Sequence, residues 1–395
     1  MLFSQKLSDG IYMLRANDRR TQLFENHIPL PSGVAYNCYI INDEKTALFD
    51  TIHSSFGDEL LDTIKQVIGD KSLDYLVIHH LEPDHSGEIK SVIAQYPSVE
   101  IYGNKKTFEI LKSYLGEVAN LVEIKDGDTL ELGEHSLQFV LTPWIHWPET
   151  MMTFETKTST LFSADAFGSF GAVDGALMDE QLTSIKDIED EMLRYYSNIV
   201  GKYSMMVSKA LTKLSAMDIK RICPVHGVVW SKYITELLSL YQKWSAQSVD
   251  GGVVIAFASM YGFNESMADY IAISLANRGV KGVKVFDVSK SDPSYILTEV
   301  WRSRVVLLGS CAYNGGVFTS METLCNILSH CAVKGKSWGI FGTGSWNGGG
   351  VKGLVAIAEG NKWECVSEPV EIIGKPNIEK LKVADALIEA VISAL

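Results

Sequence analysis

Four side chains able to bind a metal ion, His80, Glu82, Asp84 and His85, fall within six residues, directly after an apolar run at Tyr75–Ile78. A lone histidine or aspartate at a strand end is usually packed or solvated. Four together, leading into Ser86-Gly87, read as a ligand cluster. Three more candidates stand just past strand-like runs: His146 after Ser136–Thr142, Asp165 after Thr160–Ser163, and His226 after Ile219–Val225. If these strands lie side by side, their carboxyl ends meet at one sheet edge, where α/β proteins place their chemistry. Four histidines and three carboxylates exceed what one ion of about four to six ligands accepts, so the set predicts two ions, with Asp165 able to bridge them. Imidazole and carboxylate without thiolate suit iron, manganese or zinc, and the carboxylate share favours iron. His27, His53, His79, His135 and His330 stand outside the pattern.

A second chemistry belongs to the other half of the chain. Ser259-Met260-Tyr261-Gly262-Phe263-Asn264 lies between a strand at Val253–Ala258 and a helix opening at Glu265. Backbone N–H groups converging at a helix N-terminus favour a phosphate there. Taken alone the turn is weak, because any parallel α/β unit has one. Two companion turns also follow strands, Ser310-Cys311-Ala312-Tyr313-Asn314-Gly315-Gly316 and Thr343-Gly344-Ser345-Trp346-Asn347-Gly348-Gly349. They add amides and aromatic faces for a flat ring, so the three turns predict an FMN site.

The elements that must hold these residues differ between the halves. Up to about residue 145 short strands (Ile11–Ala16, Val34–Ile41, Thr46–Asp50, Ser98–Gly103) mix with helical stretches (Phe56–Ile68, Lys105–Tyr114), as in a layered α/β or αββα domain. Helical periodicity follows over Glu189–Val200, Tyr203–Ser215 and Ile234–Trp244. The small, polar, glycine-bearing stretch from Ala246 to Gly252 suits a linker, which places one domain at residues 1–248 and a second at 249–395. In the second, apolar strands at Val253–Ala258, Val283–Asp287, Val305–Gly309 and Lys336–Gly342 alternate with helices, predicting a doubly wound parallel sheet.

The net charge of −13 leaves no basic footprint for nucleic acid or anionic lipid. No apolar run reaches the roughly 18 residues of a membrane span, and the N-terminal residues lack a charged segment followed by an apolar one. A soluble, cytoplasmic protein is expected. The cysteines, Cys38, Cys223, Cys311, Cys325, Cys331 and Cys365, form no Cys-x-x-Cys pair, so electrons must arrive from another molecule.

His80-x-Glu82-x-Asp84-His85-Ser86-Gly87, Thr142-Pro143-Trp144-Ile145-His146-Trp147-Pro148, Asp165 and Pro224-Val225-His226-Gly227 together resemble the flavodiiron proteins. The resemblance runs from about residue 4 to 395 and implies a metallo-β-lactamase-like αββα domain followed by a flavodoxin-like, FMN-binding one. It implies one iron held by His80, Glu82 and His146, a second by Asp84, His85 and His226, and Asp165 bridging. Tyr196, in Arg194-Tyr195-Tyr196, resembles a family tyrosine close to the metals, with a packing role as the other reading. Trp346 resembles a neighbour of the flavin ring, with a core tryptophan as the other reading. Three departures stand in the second domain: Phe263-Asn264 in place of smaller hydroxyl residues, Cys311-Ala312 in place of Pro-Thr, and Gly344 in place of an aromatic.

The activity implied is reduction of O2 to water, of NO to N2O, or of both, by an oxidoreductase drawing electrons through FMN. The implied partners are a separate donor, a rubredoxin-type protein or a reduced deazaflavin such as F420, and a second copy in a head-to-tail homodimer or in a tetramer. The competing expectation is a zinc hydrolase with an accessory flavodoxin-like domain. Glu82 discriminates, since hydrolytic members of the superfamily carry histidine at that place.

Overall fold

The structure is a computed structural model that describes every residue except Asp250 and Asn347. The chain forms two compact units, Met1–Gln242 and Lys243–Leu395, so the division falls inside the helix Ile234–Ser245.

Two mixed sheets make the first unit. The larger runs in the order Leu2–Lys6, Ile11–Asp18, Val34–Asn42, Thr46–Phe49, Tyr75–Val77, Glu100–Gly103, Leu121–Glu123. Its first four strands pair antiparallel and its last four pair parallel. The smaller has the order Thr129–Glu131, Ser136–Leu141, Met151–Glu155, Thr160–Ala164, Arg221–Pro224. Ile11, Met13, Tyr39, Phe49 and Val77 of one sheet share a core with Leu137, Phe139, Met151 and Phe162 of the other. The Phe49 and Phe162 rings stack across it at 4.1 Å. The outer face of the larger sheet is packed as well. In the helix Gly57–Ile68 the buried residues Leu60, Ile64 and Ile68 recur every fourth position, which forms the apolar stripe a sheet face requires. That helix stops at Gly69, whose φ of +66° suits glycine.

The second unit has a wholly parallel sheet. With the strands Val253–Ala258, Val283–Asp287, Val305–Ser310, Ser337–Gly344 and Val370–Ile373 numbered one to five, their order is 2-1-3-4-5. This is the flavodoxin-like order, whose switch point lies between the first and third strands. Val253, Ile255, Val305 and Leu307 pack against Met267, Ile271 and Leu275 of the helix Phe263–Asn277 and Leu387, Ile388 and Val391 of the helix Asp385–Ala394. The alternate residues Val254, Ala256, Val306 and Leu308 are buried too, as a sheet covered on both faces requires.

Several elements differ from the sequence expectation. The strands Leu2–Lys6, Leu121–Glu123, Thr129–Glu131, Met151–Glu155 and Val370–Ile373 lack a distinct apolar run and become strands by pairing with neighbours. The helix expected over Glu189–Val200 is α-helical to Tyr195 and widens to a π turn at Tyr196–Val200. At the end of the chain the helix Ile378–Leu381, a 3-10 turn and the helix Asp385–Ala394 follow one another in place of one continuous helix. Phe263 and Asn264 begin the helix that was expected to open at Glu265. Thr343 and Gly344 end a strand rather than sit in a turn.

Candidate metal centre and flavin pocket

In the first unit, Ser136–Leu141, Thr160–Ala164 and Arg221–Pro224 run in the same direction, so their carboxyl ends share one edge. His146, Asp165 and His226 follow those ends. The parallel pairing of Thr160–Ala164 with Arg221–Pro224 slips between Phe162 and Ala164, immediately before Asp165. From the other sheet, the chain leaving Tyr75–Val77 brings His80 and Glu82, then turns through the short helix Pro83–Ser86, which carries Asp84 and His85. Gly87 closes that turn. A Cβ there would stand 2.8 Å from the Pro83 carbonyl.

All seven expected ligands converge, each at most 9% exposed. His146 Nε2 lies 3.0 Å and His80 Nε2 3.5 Å from Glu82 Oε2. His226 Nε2 lies 3.1 Å from Asp84 Oδ2, and His85 Nε2 3.6 Å from Asp84 Oδ1. Asp165 stands between the two sets: Oδ2 is 3.6 Å from both His80 and His85 Nε2, and Oδ1 is 3.6 Å from His226 Nε2. Buried polar atoms normally have hydrogen-bond partners. Here His80 Nε2, His85 Nε2, His226 Nε2, both Asp84 oxygens and Asp165 Oδ2 have none among the described residues. Groups of this kind facing one another fit cations.

The electrostatics agree. Burial alone would lower the pKa of His80, but Glu149, Glu82 and Asp165 outweigh it and hold the imidazole well above its ordinary value. Burial is likewise outweighed at His85, raised to about 9 by Asp84 and Asp165, and at His226, raised by Asp84. Burial would raise Asp165 and Glu82, yet the imidazoles keep both carboxylates below their usual range. The carboxylates therefore demand positive charge, which metal ions supply while the histidines give up their protons.

Three residues at the cluster carried no recognised signal in the sequence. Glu149, three residues beyond His146, accepts a 2.7 Å hydrogen bond from His80 Nδ1. Glu25 stands beside Glu82; partial desolvation of its carboxyl and the neighbouring Glu82 raise it to about 9, although the residue keeps much of its surface open. The third corrects an expectation. The Tyr196 hydroxyl meets Ser204 Oγ at 3.0 Å, whereas Tyr195 donates to Asp165 Oδ1 at 2.8 Å. Successive helical residues point about 100° apart, so the two rings cannot share a target. His79 also turns away from the cluster, bonding Asp50 at 2.7 Å and Thr153 at 2.8 Å between the sheets.

In the second unit a cavity of about 430 Å³ opens past the ends of the first, third and fourth strands. Ser259, Met260, Tyr261 and Phe263 line one side, Cys311 to Gly315 a second, and Thr343 to Trp346 a third. The expected site residues Gly262, Asn264, Ser310 and Gly348 stand behind this lining. Gly262 takes a φ of +79° to start the helix, and buried Asn264 donates to the Ala258 carbonyl at 2.7 Å. Ser310 Oγ accepts from Phe318 N–H at 3.1 Å and so ties its loop back. A Cβ on Gly348 would meet the Glu371 carboxylate. Asn347 lies outside the described residues. Trp346 is 84% exposed, which excludes a core role. A cavity at the switch edge, beside a helix N-terminus and aromatic rings, fits a flat ring with a phosphate.

A lactamase-like double sheet with an imidazole and carboxylate cluster, on one chain with a flavodoxin-order sheet, defines a class of two-unit redox proteins. A family model described as ODP family beta lactamase matches residues 34–227. A nitric oxide reductase of Moorella thermoacetica is 32% identical over 369 residues, spanning 92% of this chain and 91% of that one. An anaerobic nitric oxide reductase flavorubredoxin of Escherichia coli O1:K1 is 33% identical over 327 residues, spanning 82% and 68%. Rubredoxin oxygen:oxidoreductase of Desulfovibrio gigas superposes with a TM-score of 0.94 at 28% identity, covering 99% of both chains. The flavodiiron protein of Giardia intestinalis gives 0.94 at 25% identity, covering 100% of this chain and 98% of that one. The chain belongs to the flavodiiron proteins and is an oxidoreductase. The hydrolase alternative is not favoured.

Proposed function

We propose that this chain reduces O2 to water, NO to N2O, or both, at a non-haem diiron centre supplied with electrons through FMN. The observation that carries this reading is the set of unpartnered Nε2 and carboxylate oxygen atoms of His80, His85, His226, Asp84 and Asp165 facing one another, beside Glu82, whose Oε2 meets His146 Nε2 at 3.0 Å. His80, Glu82 and His146 would hold one iron, Asp84, His85 and His226 the other, and Asp165, standing between the two sets, would bridge them. Iron bound there supplies electrons and open positions for a small diatomic molecule, and FMN passes electrons singly or in pairs.

The residues prepare that site. Glu149 and the Ala35 carbonyl fix the rings of His80 and His226 with Nε2 turned inward. Phe24 and Tyr36 stand against His226, with ring centroids at 5.5 and 5.6 Å, and limit water on that side. In the second unit, the amides at the start of the helix Phe263–Asn277 would receive the phosphate, and Tyr261, Tyr313 and Trp346, which line the cavity, would border the ring.

The donor is a separate molecule, a rubredoxin-type protein or a reduced deazaflavin such as F420. The working form is a head-to-tail homodimer, or a tetramer of two such pairs, in the cytoplasm. Buried thiols such as Cys38 and Cys223 suit that reducing compartment, and no described helix is long and apolar enough to cross a membrane. The test is to measure iron, zinc and flavin in the purified protein, reduce it without air, and mix it with O2 and separately with NO. Two irons, one flavin and consumption of at least one gas are expected. Zinc without flavin, or no gas consumed, overturns the reading.

A further inference from the structure

We propose that Glu149 is the positioning residue for the His80, Glu82 and His146 half of the centre, and that it makes the two ion positions unequal in how firmly they hold metal. The inference rests on the diiron reading above and adds a residue and an order of strength to it.

Glu149 is fully buried. Its Oε1 accepts from His80 Nδ1 at 2.7 Å and from the Leu81 N–H at 3.1 Å. Its backbone carbonyl accepts from Asn104 Nδ2 at 2.6 Å. Asn104 is itself fixed as the N-cap of the helix Lys105–Leu115, where its Oδ1 accepts from the N–H groups of Lys106 and Thr107. One residue thus clamps the turn that carries His80, the loop that carries His146, and a helix start.

The bond to Nδ1 requires the tautomer with its proton on that atom. The lone pair of His80 Nε2 then faces Glu82 Oε2 and Asp165 Oδ2, at 3.5 and 3.6 Å. A carboxylate behind a histidine also makes its ring the stronger donor. The other half is built differently. His226 Nδ1 meets a neutral group, the Ala35 carbonyl, at 2.9 Å, and neither ring nitrogen of His85 has a hydrogen-bond partner among the described residues. The half backed by Glu149 is therefore the more rigid and electron-rich, and it is the half that retains its ion longer.

The experiment uses the full chain loaded with ferrous iron, challenged without air by excess chelator, with release followed over time. The unaltered protein should lose one equivalent quickly and one slowly. In Glu149→Ala the slow phase should accelerate about 10- to 100-fold, the usual penalty for losing such a partner, while the fast phase keeps its rate. Glu149→Gln, whose amide oxygen can still accept from Nδ1, should fall between, and it serves as the test if the alanine variant does not fold. A single phase in the unaltered protein, equal acceleration of both phases, or unchanged release in both variants overturns the proposal. Fewer than two irons bound to the unaltered protein overturns the diiron reading instead, and this inference with it.

Discussion

The Tyr195 hydroxyl donates a 2.8 Å hydrogen bond to Asp165 Oδ1, while Asp165 Oδ2 stays unpartnered and faces His80 and His85 at 3.6 Å. Tyr195 and Asp165 are both fully buried, so the phenol sets the rotation of the carboxylate that stands between the two ligand sets.

Removing that phenol tests its role. A hydrogen bond to a charged acceptor is worth about 1.5–3 kcal/mol. Tyr195→Phe should therefore cost about 1.5–3 kcal/mol of stability and, because the carboxylate loses the bond that sets its rotation, also lower turnover at least tenfold. Tyr196→Phe loses its bond to Ser204 and should cost about 1 kcal/mol of stability while turnover stays within about twofold. Gas-consumption rates and thermal melting of the two variants decide it, and a larger turnover loss in the Tyr196 variant would return the catalytic role to Tyr196.

Asp165→Ala should deplete both ion positions, because its Oδ2 faces His80 of one ligand set and His85 of the other, and its Oδ1 faces His226. Bound iron should fall below one per chain while bound flavin keeps its level. Paired iron and flavin measurements check this; an unchanged iron content would mean that Asp165 does not bridge.

Trp346 lines the second unit's cavity and is 84% exposed. Stacking on a flat ring contributes about 0.5–1.5 kcal/mol. Trp346→Ala should weaken FMN binding about three- to tenfold, read by flavin fluorescence titration. Melting of the flavin-free protein should not move, since an exposed side chain supports no core.

Lys336 supplies a pH test. It is buried, its ammonium donates to the Trp301 carbonyl at 2.9 Å, and burial, with Arg304 adding to it, lowers its pKa to about 7. The unfolded chain keeps that proton up to about pH 10.4. Between these values the unfolded state binds more protons, so this group makes stability rise with pH. Below pH 7 the destabilisation is complete, because the folded protein must then carry the buried charge. Lys336→Met should be more stable than the unaltered protein at pH 6 by a few kcal/mol, since each pH unit between the folded and unfolded values corresponds to about 1.4 kcal/mol. The gap should close towards pH 10. Melting curves across that range check it, and a constant gap would contradict it.

The strong periodic segments were legible in the sequence, as Val253–Ala258 and Val283–Asp287 illustrate with bounds identical to those expected. Short edge elements such as Val370–Ile373 were not, because a strand of four residues owes its conformation to the neighbour it bonds.

The clustering of His80, Glu82, Asp84 and His85 was determined by the sequence itself, since residues so close in the chain must share a place whatever the fold. The three segments that line the second unit's cavity were legible in the same way, each by its position at or after the end of an apolar strand. The tertiary structure alone decided which distant groups complete them. That Tyr195 rather than Tyr196 reaches Asp165 depends on the phase of one helix. That Glu149 stands behind His80 depends on two strand ends from different sheets meeting across a shared core. Contacts over such chain separations come from packing, and no local pattern of residue types encodes them.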